Sequence, residues 1–247
     1  MPSKDFFKRA HILFGNAEAN NIISEKGLWK FYDEDLDGYH YSFCEDPESI
    51  EKGELQAQLE EEFKLEKGEV VMVDLGGPGC KLAKSFSPSF LARSLGVIQE
   101  SELKDGAQAG SNHEVLTDTN IFSIKAIQRL KKWLSQDKIH LLFERLYGGQ
   151  DAYRADPDIL YIIWSRYYKL LAEKAQAFIE IPNIHRFGQS GSIGQLITKW
   201  AERVNEEFAD SLRLEMFGQL SGEGKADRRG SFRLHKYPGA PTELPKF

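Results

Sequence analysis

The chain contains few cysteines and no long apolar segment, and both absences narrow the class of protein. Two cysteines, Cys44 and Cys80, stand among 247 residues, which is too few for a disulfide framework and lacks the spacing of a metal site. No apolar run approaches the roughly 20 residues that a membrane-spanning helix needs. Residues 1–10 carry charges where a secretory signal has its apolar region. We therefore expect a cytoplasmic protein that does not enter a membrane.

The chain also lacks the basic excess of a nucleic-acid-binding protein. Its formal net charge is −6, and residues 1–68 contain 16 acids and 8 bases, whereas residues 69–247 contain 22 acids and 24 bases. Tight binding to a phosphate backbone needs a concentrated basic surface. Nucleic acid is therefore disfavoured as a partner, and a small molecule or a protein is the expected substrate.

One acidic segment resembles a metal site but lacks its decisive ligand. Asp33, Asp35, Asp37 and Gly38 match the opening of a calcium-binding EF-hand loop. Position 12 of such a loop must be a bidentate Glu, and here it is Cys44. We therefore expect an acidic turn and no metal site.

The strongest positive signal is an apolar strand, residues 69–75, that runs into an acidic, glycine-rich turn. The turn contains Asp74, Gly76, Gly77 and Gly79. Glycines allow a ligand to lie against bare amide groups at the end of a strand. The third glycine of the dinucleotide pattern is missing, because Leu82 stands in its place, and there is no Gly-Lys-Ser/Thr phosphate loop. An acid ahead of the glycines repels a pyrophosphate but suits a cofactor with a ribose or an amino group. The alternative is a tight strand-to-helix turn that binds nothing.

Short apolar strands alternate with helices after this turn, which predicts a largely parallel sheet covered on both faces. Further strands are predicted at 96–100, 113–117, 139–144 and 177–181. Helices are predicted at 54–65, 81–95, 123–135, 158–174 and 193–209. Residues 212–220 and 230–237, joined by a polar turn, predict a terminal antiparallel hairpin.

The glycine-rich turn and the pattern that follows it resemble the class I S-adenosylmethionine-dependent methyltransferase superfamily, over about residues 55–240. The resemblance implies an α/β fold with a Rossmann-like, doubly wound, mostly parallel sheet of seven strands in the order 3-2-1-4-5-7-6. It divides the chain into an N-terminal helical extension, residues 1–54, and a methyltransferase domain, residues 55–247. The aromatic-rich segment 28–43 either covers the cofactor pocket as a lid or forms the extension's own core, and we favour the core.

The resemblance implies S-adenosyl-L-methionine as the cofactor. In that family the turn with Asp74 wraps the methionine part, and an acid after strand two binds both ribose hydroxyls, since one carboxylate can accept two hydrogen bonds. We favour Glu100 over Glu102 for the ribose, although either acid is equally consistent with a solvated surface residue. The implied cofactor-binding residues are Asp74, Gly76, Gly77, Gly79, Glu100, Asp118 and Asn120.

Strand three supplies the last two of these residues. The family often has an Asp or Asn here that takes the adenine amino group, a role that Asp118 or Asn120 can fill. Ile121 or Phe122 then forms an apolar wall against the adenine ring. The alternative is that Asp118 or Asn120 caps the next helix.

The sequence does not single out a catalytic residue, because methyl transfer is a direct displacement that needs an aligned nucleophile more than a dedicated group. The candidates are Glu144, which orients the substrate or accepts a proton, Arg145, which pairs with an acidic substrate, and His185 as a base. Glu144 and Arg145 are each equally consistent with an ordinary surface residue, and for His185 we favour a loop or packing histidine over a base. The segment after strand four also departs from the Asn/Asp-Pro-Pro-Tyr signature of amino-group methylation.

Three other functions remain open at this stage. One is a catalytically inactive, methyltransferase-like module that works in binding or interaction. Another is an FtsJ-like RNA methyltransferase, although the turn is one residue shorter than that family's and its Lys-Asp-Lys-Glu tetrad cannot be placed. A nicotinamide oxidoreductase is the least favoured, because of the missing third glycine.

Overall fold

The computed structural model describes residues 54–77, 79, 83, 86–87, 89–98, 112–121, 123–144, 157–181, 193–217 and 230–247. The predictions for residues 1–53, including the acidic turn and the role of segment 28–43, lie outside this part of the chain.

The described part of the chain contains seven strands and four helices. The strands are β1 (Val70–Leu75), β2 (Leu91–Val97), β3 (His113–Leu116), β4 (Ile139–Glu144), β5 (Leu171–Ile181), β6 (Leu212–Phe217) and β7 (Gly230–Lys236). The helices are α1 (Glu54–Phe63), α2 (Ile124–Leu134), α3 (Pro157–Tyr168) and α4 (Ile193–Phe208). Among these helices, none has the length and apolar character needed to cross a membrane.

The described strands form one seven-stranded sheet in the order β3-β2-β1-β4-β5-β7-β6. β1 pairs in parallel with β2 and β4, and the parallel pairing continues to β3 on one side and β5 on the other. β7 is antiparallel to both β5 and β6. The predicted fold class and strand order are therefore confirmed.

Side chains that alternate along β1 divide the core between the two faces of the sheet. Val71 and Val73 belong to a cluster with apolar residues of α2, α3 and α4, and we call this side the three-helix face. Val70 and Met72 belong to a second cluster with Phe63 of α1, and we call this side the α1 face. The sheet is thus covered on both faces, as a parallel sheet requires.

Helix α2 shows how the local sequence sets an element. Ser123 caps its first turn, since the Ala126 backbone N–H donates to the Ser123 hydroxyl at 3.1 Å. Ile127, Leu130 and Leu134 recur on one side and are buried in the three-helix face. The helix predicted over 123–135 is therefore confirmed.

The second strand differs from its prediction. β2 begins at Leu91 and ends at Val97, so a helix reaching residue 95 and a strand over 96–100 are both wrong. Ala92, Arg93 and Leu95 favour a helix by local propensity, yet this segment pairs in parallel with β1 and buries Leu95 completely. Pairing with the central strand outweighs propensity here.

The fifth strand is also longer than predicted. Helix α3 ends at Tyr168 and β5 begins at Leu171, where the sequence predicts a helix to residue 174 and a strand over 177–181. The residues after Leu171 are rich in Ala, Glu and Lys, which are common in helices. However, Leu171 pairs with Ile139, and the Ile139 backbone N–H donates to the Leu170 carbonyl at 2.9 Å. Because of these contacts with β4, the segment that begins at Leu171 forms a strand of the sheet and not a helix.

Candidate functional site

The glycine-rich turn follows β1, the strand at which the order of the sheet reverses. β2 and β3 lie on one side of β1, and the chain then crosses to β4 on the other side. In open α/β sheets, ligands bind outside the carboxyl ends of the strands at such a switch point. The turn therefore occupies the position where a ligand site is expected in this fold.

The turn folds back over the end of β2. The Gly76 backbone N–H donates to the Val97 carbonyl at 2.8 Å, and Gly77 forms an isolated antiparallel bridge with Val97. Gly76 and Gly79 have φ angles of +92° and +66°, in the left-handed region that other residues rarely adopt. Two of the predicted glycines are thus required by the backbone itself.

Gly79 also allows a close approach to the sheet. A β carbon at Gly79 would lie 3.1 Å from Cβ of Asp74 and 3.2 Å from Cε1 of His113. The turn therefore packs directly on these two side chains, and its glycine is required by contacts within the protein as well as by its φ angle.

Asp74 lies beneath the turn and is fully buried, with 0% of its surface exposed. Strand alternation places its side chain on the α1 face, two residues after Met72. A buried carboxylate is costly unless it is paired, and Asp74 does take part in polar interactions there. An ionised carboxylate in such a buried position attracts cations and repels phosphates more strongly than an exposed acid does.

His113 is the site residue that sequence reasoning missed. It is 6% exposed, and its Nδ1 shares a hydrogen bond of 2.7 Å with Oγ of Ser94, which is 2% exposed. Both are polar residues at buried positions, but their strands also contain Arg93 and Glu114, so polarity alone does not mark them in the sequence. The prediction of a helix at Ser94 hid the pairing of β2 with β3 that brings them together.

The segment after β3 is held tightly in place. Arg129 of α2 donates to the Thr117 carbonyl at 2.7 Å and to the Thr119 hydroxyl, and the Thr119 backbone N–H donates to the Ile98 carbonyl at 2.9 Å. Asp118 is exposed between these anchors and has a φ of +48°. Its side chain is therefore presented at the edge of the sheet.

Two other predictions concern this segment. The cap of α2 is Ser123, so the alternative that Asp118 or Asn120 caps that helix is wrong. Asn120 is half-buried, and Ile121 is buried in the three-helix face, where its carbonyl accepts a hydrogen bond from the Tyr167 hydroxyl at 2.5 Å.

Glu144 ends β4 and is 2% exposed. It is paired with Leu75 and lies on the three-helix face, whereas Asp74 is paired with Phe143 on the α1 face. Together with Trp164 and Tyr167, Glu144 lines a cavity of about 20 Å³, which is room for about one water molecule. Burial, followed by the charge of Glu144, raises the pKa of the Tyr167 hydroxyl. The structure thus separates Glu144 and Asp74 onto opposite faces.

The remaining predicted site residues lie outside the described part of the chain. These are Glu100, Glu102, Phe122, Arg145 and His185. The corrected end of β2 places Glu100 three residues beyond the strand. In the described part, no group of three or more His, Cys, Asp or Glu side chains is arranged to hold a metal ion.

Comparison with known proteins supports the fold through structure rather than sequence. No protein-family model matches the chain, and no curated protein matches its sequence. Its structure is similar to that of the plantazolicin methyltransferase BpumL in complex with SAH, with a TM-score of 0.55, 11% identity, and coverage of 93% of this chain and 98% of that one. The chain has the methyltransferase fold. It is also similar to an O-methyltransferase from Bacillus cereus in complex with SAH, with a TM-score of 0.46, 11% identity, and coverage of 96% and 93%.

Proposed function

We propose that the protein is an S-adenosyl-L-methionine-dependent methyltransferase that acts by direct displacement on a small-molecule or protein acceptor. One observation carries the proposal: the glycine turn folds over the buried Asp74 at the switch point of a sheet with the methyltransferase strand order. The similarity to BpumL, whose structure contains SAH, adds support for the fold on which the proposal rests.

The residues of the turn fit this cofactor better than they fit a dinucleotide. Gly76, Gly77 and Gly79 offer backbone without side chains, and Asp74 places a negative charge beneath it. S-adenosyl-L-methionine carries an ammonium and a sulfonium, and a carboxylate attracts both of these cationic groups. The same carboxylate repels the pyrophosphate of a dinucleotide. When bound, the cofactor supplies an electrophilic methyl group.

We assign the nucleoside part of the cofactor to the ends of the next two strands. Asp118 and Asn120 are proposed to take the adenine amino group, and Arg129 supports the assignment because it fixes the turn that presents Asp118. Glu100 is proposed to bind the ribose hydroxyls. Both hydroxyls can donate to one carboxylate.

The chain's own residues then have to align the acceptor and remove its proton. In a direct displacement, the acceptor atom bonds to the methyl carbon while the carbon–sulfur bond breaks, so alignment accounts for most of the acceleration. Glu144 and His185 are the proposed proton acceptors, and Arg145 is the proposed partner of an acidic substrate. Because Glu144 is buried on the three-helix face, its role requires the acceptor proton to reach that side of β4.

The experiment that tests the proposal is isothermal titration of the full chain with S-adenosylhomocysteine and, separately, with NAD. We expect a dissociation constant of about tens of micromolar or tighter for S-adenosylhomocysteine, and no heat with NAD. The absence of heat with S-adenosylhomocysteine would contradict the proposal. Heat of binding with NAD instead would support the oxidoreductase.

Turnover separates an enzyme from an inactive module with the same fold. After binding is established, purified protein is incubated with S-adenosyl-L-methionine and pools of small molecules, proteins and RNA, and S-adenosylhomocysteine is measured. Formation that depends on a small-molecule or protein pool supports the proposed enzyme. Formation that depends on RNA alone supports the FtsJ-like alternative, and binding without turnover in any pool supports the inactive module.

A further inference from the structure

A patch of buried polar side chains lies beneath the glycine turn, on three neighbouring strands. Asp74 belongs to β1, Ser94 to β2 and His113 to β3, with exposures of 0%, 2% and 6%. Ser94 and His113 are direct partners in the sheet, and Ser94 is also the partner of Met72, two residues before Asp74. Three adjacent strands thus each carry a buried polar residue on the α1 face, with Asp74 two residues nearer the turn than Ser94 and His113.

Burial of these polar side chains has an unfavourable desolvation free energy, so their presence in the core needs an explanation. Elsewhere on the α1 face the same strands contribute apolar residues such as Val70, Met72 and Leu91 to the core. Apolar side chains of similar volume at Ser94 and His113 would pack without the cost of desolvating a hydroxyl and an imidazole. Stability alone therefore does not account for the pair.

The imidazole of His113 is fixed on one side and supports the turn on the other. Its Nδ1 is hydrogen-bonded to Oγ of Ser94 at 2.7 Å, and the Ser94 backbone N–H donates to the Asn112 carbonyl at 2.8 Å. Its Cε1 lies 3.2 Å from the point that a β carbon of Gly79 would occupy, and Oδ2 of Asp74 lies 3.5 Å from the same point. The imidazole, the carboxylate and the turn therefore meet at one place.

We infer that His113, held by Ser94, is a positioning residue that sets the place of the Asp74 carboxylate and of the glycine turn, and thereby the affinity for the cofactor. This inference rests on the proposed function. A turn with three glycines has more conformational freedom than a turn of the same length without them. A rigid wall beneath it confines that freedom before the ligand arrives, which is how a binding site is preorganised.

Binding measurements on matched variants test the inference. His113→Ala removes the wall, and we expect it to raise the dissociation constant for S-adenosylhomocysteine by about tenfold. His113→Asn keeps a polar atom where Nδ1 lies, so the bond to Ser94 can form, but it lacks the Cε1 that supports the turn, and binding should stay weakened by at least about threefold. Ser94→Ala should weaken binding by an intermediate factor.

The control is His140→Ala, at the opposite end of the same sheet. His140 is a half-buried histidine near the start of β4, where its Nδ1 accepts a hydrogen bond from the Val71 backbone N–H at 3.2 Å. This variant should lower the melting temperature without changing the affinity. All titrations are run at a temperature where circular dichroism shows each variant folded, so that lost stability is not mistaken for lost binding.

The outcomes separate this inference from the proposed function. If the wild type binds S-adenosylhomocysteine and His113→Ala binds equally well, the inference is wrong and the proposed function stands. Equal weakening by His140→Ala, or wild-type affinity in His113→Asn, also overturns it. If the wild type does not bind, the proposed function fails, and the positioning of the turn is judged without a ligand.

Hydrogen exchange provides that ligand-free measurement. We expect faster exchange of the backbone amides in the peptide that covers residues 74–80 in His113→Ala, and wild-type exchange there in His140→Ala, whose hydrogen bond from Val71 lies outside that peptide. The same exchange in both variants would show that His113 does not position the turn.

Discussion

Two buried histidines lie on the α1 face of the sheet, and their surroundings differ. His113 is hydrogen-bonded to a serine and lies against the glycine turn at the end of β1. His235 of β7 is 1% exposed, and its two ring nitrogens lie 3.1 Å from Glu62 of α1 and 3.0 Å from Glu215 of β6. Arg213 contacts both of these carboxylates, at 3.3 and 2.9 Å.

The comparison shows that a buried polar cluster is not by itself a functional site. The His235 cluster joins α1 to the terminal hairpin, and the Tyr237 hydroxyl adds a hydrogen bond to Glu62. It lies on strands at the flank of the sheet, away from the switch point between β1 and β4. We therefore assign it to stability, and we assign the His113 cluster to ligand binding.

The largest effect is expected from Asp74→Asn. This change keeps the shape of the side chain but removes the charge that attracts the ammonium group of the ligand, so the dissociation constant for S-adenosylhomocysteine should rise about a hundredfold. Titration calorimetry measures the affinity, and thermal unfolding shows whether the variant remains folded.

Glu215→Gln is the matched control for that variant, because it removes a charge from the His235 cluster. The affinity of Glu215→Gln for S-adenosylhomocysteine should equal that of the wild type within about twofold. If both variants weaken binding equally, or if Asp74→Asn binds normally, the division into a binding cluster and a stability cluster is wrong.

His235→Ala is expected to lower stability and leave binding unchanged, which is the opposite of the result for Asp74→Asn. Without the imidazole, Glu62 and Glu215 lose a shared partner, and the free energy of unfolding should fall by about 1–3 kcal/mol. Urea denaturation measures this loss, while the affinity for S-adenosylhomocysteine should stay within about twofold of the wild type. A stable variant with weakened binding would reverse the two assignments.

The pH dependence of stability should report on Glu215. The hydrogen bond from His235 is the main cause that lowers the pKa of Glu215, from 4.5 to about 2. Because the folded state then binds this proton less readily than the unfolded state, the stabilisation is present above pH 4.5 and is lost as the pH falls toward 2. The stability difference between the wild type and Glu215→Gln should shrink over that range. A constant difference would contradict the pairing.

The smallest effect is expected from the titration of His140, which changes the stability of the fold with pH. Burial lowers its pKa below 6.5, against the opposing charges of Glu69 and Asp137, and its Nδ1 must stay unprotonated to accept the bond from Val71. Stability from this residue is therefore present above pH 6.5 and is lost as the pH falls below that value. Relative to His140→Asn, which keeps an acceptor but does not titrate, the wild type should lose stability below pH 6.5. Equal pH profiles would contradict this.

The sequence predicts the fold well because the apolar strands of the central sheet are short and separated by clear turns. β4 is predicted with its observed ends, Ile139–Glu144. The errors fall where strands contain helix-forming residues, at Ala92–Leu95 in β2 and at Leu171–Lys174 in β5, because pairing with distant strands decides the structure there.

The candidate site is only partly visible in the sequence for the same reason. The glycine turn is a local motif, so Asp74, Gly76 and Gly79 can be recognised directly. The contact between His113 and Ser94 depends on the register of β2 with β3, which no local pattern specifies. The separation of Glu144 from Asp74 likewise follows from the strand faces.

The most direct test of the central claim is a crystal structure of the full chain with S-adenosylhomocysteine bound. We expect the homocysteine part to lie against the backbone of residues 76–79, above Asp74, with the nucleoside extending toward the ends of β2 and β3. A ligand bound away from this turn, or a turn that contacts only the protein, would contradict it.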